Sequence, residues 1–400
     1  MTVRDIHVVV VGGSTAGLAV SRAVAALAKN GVPGLRVTLI DKNEYFYHMI
    51  GAPRGTVDAE YAHKQFLRLG GVLVEFEADP ARPRHRFMQA SLARVGEREI
   101  ELSGGQTVAF DYLVLATGAR NSFPANVAES SVEAARARMT RLGADIGRAR
   151  SILVVGGGAV GVEMAGEIAA AHPAKTVTLV HSGSRLLPAN FKEKLSAGAV
   201  EKLRRLGVKV VLNERIEIPA GTRFDATLRP LKLRGASGRS YQSDLQIMAT
   251  GTKLHTEYLA PLEAQLGVRL RERSGAIRIR PTFQIDSPRL PNIFAVGDVA
   301  ALPAGAKYAF IVAEQAKVAA ANVTALVRAG PKGPAPPLKS WDGRTMSAII
   351  VPIGPNHGVM QLFGMTLGAS RLGNVGVRNL KGKDYFLEKT AATFPVNANA

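Results

Sequence analysis

The apolar residues of this chain gather in short unbroken runs, and glycine follows several of them directly. Ile6–Val11 is one such run, interrupted only by His7, and it stops at Gly12-Gly13. A half-exposed strand alternates apolar and polar positions, whereas a continuous run fits a strand buried on both faces of a parallel sheet. Ala16–Lys29 then shows helical spacing, closed by Gly31. Val37–Ile40 is a second buried run and ends at Asp41, and Leu113–Leu115 leads into Ala116-Thr117-Gly118. From Ser151 the same order recurs. Ser151–Val155 predicts a strand, Gly156-Gly157-Gly158 a turn, Val160–Ala171 a helix and Thr176–Val180 another strand. Leu245–Met248 repeats the approach to an Ala-Thr-Gly turn, here Ala249-Thr250-Gly251. Finally Ile293–Val296 stops at Gly297-Asp298, and Ala309–Arg328 reads as a long alanine-rich helix.

This repetition predicts an α/β protein built from two nested Rossmann-like domains, each of the kind that binds a dinucleotide. Residues 1–120 and 252–328 are expected to form the outer domain and residues 121–251 the inserted one. The Pro/Gly-rich Gly330–Leu338 reads as a linker, and residues 339–400 as a small C-terminal α+β domain with strands at Ala348–Pro352 and Met360–Leu367.

The two glycine turns carry chemistry. In a G-x-G-x-x-G turn the first glycine makes the bend, the second lets the backbone approach a pyrophosphate, and the third lets the helix pack close to the strand. Free N–H groups and the positive dipole end of the helix then face the phosphates. The first loop is Gly12-x-Ser14-x-x-Gly17, with serine in the middle slot, and Asp41 stands at the next strand end, where a carboxylate accepts ribose hydroxyls. The second loop is complete with Gly156, Gly158 and Gly161, followed by Val160 on its helix, but its next strand ends at His181-Ser182 without an acid. An acid there repels a 2′-phosphate, so His181 and Arg185 predict that NADPH is accepted as well as NADH. Glu163, on the first turn of the helix, is a candidate for the nicotinamide side. Asp298 suits a ribityl hydroxyl of a flavin, and the helix after Lys307 and Tyr308 aims its positive end at the flavin ring. Lys42, Arg54, Ala116, Thr117, Gly118, Thr250, Gly251 and Gly297 complete the expected cofactor contacts, and His48 stands out by its place beside the flavin.

Composition narrows the chemistry. The chain has no cysteine, which excludes disulfides, thiolate metal sites and a redox-active dithiol. The eight histidines form no ligand-spaced pair, so no metal is expected. Electrons collected by a flavin must therefore leave for an external acceptor. The formal charge is +19, with local density at Arg82–Arg86, Lys202–Lys209 and Arg269–Arg280. It favours an acidic partner or anionic lipid, and it lacks the aromatic interleaving and motifs of a dedicated nucleic-acid binder. The first strand begins too soon for a signal peptide, and Thr2 stands where N-myristoylation needs glycine. An intracellular protein, cytoplasmic or peripheral to a membrane, is the expectation.

These motifs, in this order, resemble the two-dinucleotide-binding flavoproteins that include glutathione reductase and type II NADH dehydrogenases, and within them the apoptosis-inducing-factor branch and its ferroptosis suppressor protein subgroup. The resemblance covers nearly the whole chain. It rests on Val154–Ala165, Val177–Ser182, Phe46-Tyr47-His48, Ala295–Asp298 and, most specifically, the tail Lys381-Gly382-Lys383-Asp384-Tyr385-Phe386. It implies FAD in the outer domain, NAD(P)H in the inserted one, and reduction of a quinone or another small acceptor. Carried over, Glu163 supports the nicotinamide, while Lys381 and Phe386 sit near the flavin and the quinone entrance. Lys381 then stabilises developing negative charge on the flavin or on the quinone oxygen. Val299 stands where the subgroup has a cysteine. Alternative readings are a reductase of an acidic electron-carrier protein, a flavin-dependent tailoring enzyme, and a non-enzymatic effector.

Overall fold

The computed structural model describes residues 5–32, 34–79, 81–219, 222, 224–330, 334–343, 348–367 and 371–395. Its first sheet has five parallel strands in the order Ile293–Ala295, Tyr112–Leu115, Ile6–Val11, Leu35–Asp41 and Arg86–Gln89. All six residues of Ile6–Val11 are buried, as a central strand with helices on one face and sheet on the other requires. Its closing strand comes from far along the sequence, so the segment between 120 and 250 folds as an excursion from this sheet. That excursion makes a second, four-stranded parallel sheet in the order Lys209–Val211, Thr176–Val180, Ser151–Val155 and Leu245–Met248. The chain leaves and returns side by side, through the antiparallel pair Ala119–Arg120 and Lys253–Leu254.

The helix after the first loop is shorter than its spacing predicts. It runs Thr15–Ala25 and unwinds into tight turns, with Leu27 N–H bonding Val24 O and Ala28 N–H bonding Ala25 O. The long helix Ala309–Ala329 packs on it through buried alanines and valines, among them Ala316, Ala319 and Val323. By length and composition this helix could cross a membrane; here it is a wall of the first core.

The tail departs further from expectation. Ile349–Ile353, His357–Leu362 and Met365–Leu367 form an antiparallel three-stranded sheet. The expected single strand Met360–Leu367 breaks at Phe363-Gly364, where φ of +50° and +78° turns the chain back. A helix at Arg371–Val377 runs into one turn of π-helix, Arg378–Gly382, which carries Lys381. Such turns are rare and concentrate at functional sites. Part of the expected linker, residues 331–333, lies outside the described residues.

The tail sheet sits on the helix Ala159–Ala171, the helix that follows the second glycine loop. Contact is close because Gly166 has no side chain: a Cβ there would lie 2.8 Å from Ile353 Cα and 3.0 Å from Gly354 N. On the same helix face Ala170 meets Gly354. Gly166→Leu is therefore expected to push the tail sheet off the helix, at about 1–3 kcal/mol. Limited proteolysis should cut between residues 334 and 343 faster than in the parent, with a lower thermal midpoint.

Candidate functional site

The two glycine turns are built to one plan. Gly12 has φ +111°, and a Cβ on it would fall 2.2 Å from Ala116 O; a Cβ on Gly17 would fall 1.8 Å from Gly12 O. In the second loop Gly156 has φ +116° and a virtual Cβ 2.5 Å from Ala249 O, while Gly161 places one 1.8 Å from Gly156 O. These four glycines are demanded by the protein's own backbone packing, and Ala116 and Ala249 are what they pack against. Gly158 is different, since a Cβ there meets nothing within 4 Å. Its bare face looks into open space at the start of a helix, where N–H groups point outward for a bound phosphate. Ser14 holds the corresponding place in the first loop and is exposed.

Asp41 does more than wait for a ribose. Its Oδ2 accepts the Gly13 N–H at 2.6 Å and its Oδ1 the Asn43 N–H at 2.8 Å. Burial pushes its carboxyl above the usual range, and these backbone donors pull it back. His181 repeats the device in the second domain, with Nδ1 accepting the Gly157 N–H at 3.1 Å. That bond requires an unprotonated Nδ1, and burial lowers the His181 pKa in the same direction. The strand-end acid of one domain is thus a neutral imidazole in the other, holding the same backbone group.

The first cleft runs from Asp41 and Lys42 past Ser14, Thr117 and Gly118 to Asp298 and Lys307. Thr117 Oγ1 hydrogen-bonds the Tyr258 hydroxyl at 2.9 Å, which fixes the turn that Gly118 (φ +67°) completes. Burial raises the Asp298 carboxyl, and the Lys307 ammonium beside it opposes the rise. Lys307 Nζ also donates to Asp298 O at 3.1 Å. The residues fit a long dinucleotide whose pyrophosphate rests on the glycine loop and whose far end reaches Asp298. In the second domain Thr250 lies against Gly156, and its carbonyl accepts from Ser122 at 3.1 Å. Gly251 faces a neighbouring polar cleft. Arg185 lines a separate groove with Ser184, Arg204 and Arg205 and donates to Ala189 O at 2.5 Å.

Where the two domains and the tail meet lies a chamber of about 600 Å³. The inserted domain contributes Val160 and Glu163, the outer domain Ile50 and Tyr308, the tail Lys381 and Phe386. Met49, Ile50 and Lys307 also line the first cleft, so the chamber opens onto it. The walls are largely apolar; the polar groups on them are Asn121, Lys307, the Tyr308 hydroxyl and the ion pair of Lys381 Nζ with Glu163 Oε1 at 2.6 Å, both side chains of the pair nearly buried. Burial pushes the Glu163 carboxyl up and Lys381 draws it down.

Two sequence candidates land elsewhere. Neither His48 nor Arg54 lines the cofactor cleft, although Tyr47, Met49 and Ile50 do. His48 is buried and its Nε2 bonds the Tyr385 carbonyl at 2.8 Å. Arg54 forks onto Glu167 (2.8 and 3.0 Å) and donates to Gly382 O at 2.9 Å. Short elements turn both side chains away from the cleft and under the tail. Sequence reasoning missed Glu167, Tyr385 and Tyr61, which complete this network. The available signal was spacing: Glu167 stands four residues after Glu163, on the same helix face.

A family model for pyridine nucleotide-disulphide oxidoreductases matches residues 6–322. Ferroptosis suppressor protein 1 of Homo sapiens is 29% identical over 392 residues, covering 97% of this chain and 95% of that protein. Apoptosis-inducing factor homolog B of Dictyostelium discoideum is 25% identical over 410 residues, covering 97% of each. Among solved structures, the sulfide:quinone oxidoreductase of Aquifex aeolicus superposes with a TM-score of 0.67 at 18% identity, over 98% of this chain and 93% of that one. This last likeness shows the fold.

The pairing of His181 with Gly157 makes cofactor choice testable. His181→Asp keeps an acceptor for the Gly157 N–H while restoring the acid that repels a 2′-phosphate. Titration of the purified protein is expected to find NADPH weakened about tenfold or more, some 1.4 kcal/mol, with NADH held or tightened.

Proposed function

We propose that this chain, which belongs to the pyridine nucleotide-disulphide oxidoreductase family, passes electrons from NAD(P)H through FAD to a small quinone. It is an FAD-dependent NAD(P)H oxidoreductase; the quinone is the part we infer. The disulphide chemistry of the family's name has no counterpart here, because the chain contains no cysteine. An acceptor from outside is required.

The observation that carries the reading is the chamber. It is apolar, large enough for a substituted ring, and touches both the cleft of the first loop and the helix of the second. FAD, when bound, would supply the hydride and two-electron chemistry between the nicotinamide and the acceptor. The protein supplies position and electrostatics. The turn shaped by Gly12 and Gly17 would hold one dinucleotide with Asp41; the turn shaped by Gly156 and Gly161 would hold the other, with Gly158 and His181. Val160 and Glu163, at the head of the second helix, border the space a nicotinamide ring would enter. Lys381, on the tail side of the chamber, presents a cationic hydrogen-bond donor to an acceptor oxygen, among largely apolar walls that strengthen it. Phe386, 37% exposed, closes the outer side.

The full-length similarity to ferroptosis suppressor protein 1 supports this acceptor class. A lipophilic substrate also suits the outer edge of the tail sheet. Leu362 lines the chamber, and Phe363 at the adjacent hairpin tip is 78% exposed, with Met365 65% exposed beside it. With a formal charge of +19, this edge fits contact with anionic lipid.

Stopped-flow mixing tests the reading. NADH and NADPH are each expected to bleach the flavin of the holoprotein, and a short-chain quinone to restore its colour. Quinone turnover should change little with ionic strength; turnover that needs an acidic carrier protein and collapses with salt would identify that carrier as the acceptor instead. Lys381→Met is expected to slow reoxidation by quinone at least about tenfold.

A further inference from the structure

Two adjacent non-glycine residues of the tail, Tyr385 (φ +52°) and Phe386 (φ +65°), lie in the left-handed region. Large side chains avoid that region, and it persists only where surroundings enforce it. Here the enforcement comes from three directions. From the outer domain, His48 Nε2 bonds Tyr385 O at 2.8 Å, the Tyr61 hydroxyl donates to Asp384 O at 2.9 Å, and Arg54 donates to the Gly382 and Lys383 carbonyls at 2.9 and 3.3 Å. From the inserted domain, Glu167 Oε1 accepts the Tyr385 hydroxyl at 2.9 Å, while Arg54 caps the same carboxylate. Within the turn, Asp384 accepts the Phe386 and Glu388 N–H groups at 3.0 and 3.1 Å. Tyr385 is fully buried, and the Arg54 guanidinium lies 5.5 Å from its ring centre. The effect of the turn is directional. It points Tyr385 inward to its anchors and Phe386 outward to the chamber, with Lys381 one helical turn earlier.

We propose that His48, Arg54, Glu167 and Tyr385 are positioning residues, which hold this strained turn so that Phe386 and Lys381 form the acceptor wall of the chamber. The inference rests on the reading of the chamber given above. None of the four lines the chamber, so their effect on the acceptor passes through Phe386 and Lys381. Hydride entry is bordered by Val160 and Glu163 on the helix Ala159–Ala171, which meets the acceptor wall where Glu163 pairs with Lys381.

Two variants of the FAD-loaded protein separate positioning from general stability. Tyr385→Phe deletes only the hydroxyl that Glu167 holds. Amide exchange across 382–387 is expected to quicken at least about tenfold. The KM for a short-chain quinone should rise about tenfold while bleaching of the flavin by NADPH stays within about twofold. Phe386→Gly removes the ring but relieves the left-handed backbone, which glycine tolerates; its thermal midpoint should hold or rise while the quinone KM rises. An unchanged quinone KM in either variant overturns the proposal, as does equal slowing of both half-reactions in Tyr385→Phe. Unchanged exchange in Tyr385→Phe overturns the holding role of the hydroxyl. A holoprotein that neither nicotinamide bleaches instead overturns the reading of the chamber, and the exchange measurement still decides whether the hydroxyl holds the turn.

Discussion

Two carboxylates on one face of one helix organise this molecule. Glu163 and Glu167 lie four residues apart on the helix that starts at the second glycine loop, and both are buried. Two buried like charges at that spacing repel, and each is costly without a partner. Each therefore takes a cation from a different part of the chain: Lys381 from the tail for Glu163, and Arg54 from the outer domain for Glu167. Removing one partner of such a pair typically costs about 3–5 kcal/mol, because a bare charge is left behind. The helix cannot satisfy itself. It is satisfied only when outer domain, inserted domain and tail are all in place.

The arrangement has a mechanical consequence. The helix face that carries Glu163 and Glu167 also carries Gly166 and Ala170, the small residues on which Ile353 and Gly354 rest. Polar and small positions alternate along one stripe, so the tail is held both by charge and by close backbone contact. The same helix begins at Gly158, where a dinucleotide phosphate would lie. Nucleotide loop, chamber wall and tail are thus fixed to a single rigid rod of thirteen residues. Chemistry that depends on two rings meeting at a set distance gains from such a rod, since misplacement is what costs rate.

How much of this was legible in the sequence depended on whether a signal was local. The strands Ser151–Val155, Thr176–Val180 and Leu245–Met248 fall where the apolar runs place them, because buried parallel strands are apolar on both faces and are followed by glycine turns with a fixed steric purpose. The Asp41 and Asp298 positions were legible for the same reason, each at a strand end next to a turn. His48 and Arg54 were legible as residues of consequence but not in their role. Their partners, Tyr385 and Glu167, are far away in sequence, and nothing in the local pattern says which way a side chain on a short, irregular element will turn. The helix Ala159–Ala171 hid its stripe as well: it is apolar nearly all round and buried on most faces, so Glu163 read as a candidate for the nicotinamide side while Glu167, one turn on, gave no sign of its partners.

The missing cysteine gains its meaning from the chamber. A chain that cannot hold electrons on a dithiol must pass them to an acceptor from outside, and a largely apolar chamber beside the first cleft is what the proposed quinone needs. Its walls keep their shape only if the tail stays in place against the two domains. Closing it with hydrophobic contact alone would leave the tail free to slide, because such contact has no direction. Hydrogen bonds to charged groups have direction. The turn at Tyr385-Phe386 is held by bonds of that kind on its inner side, and Phe386 on its outer side provides the apolar surface. A buried polar network supporting an apolar wall is costly to build, and it fixes one geometry among the several that an oily interface would allow.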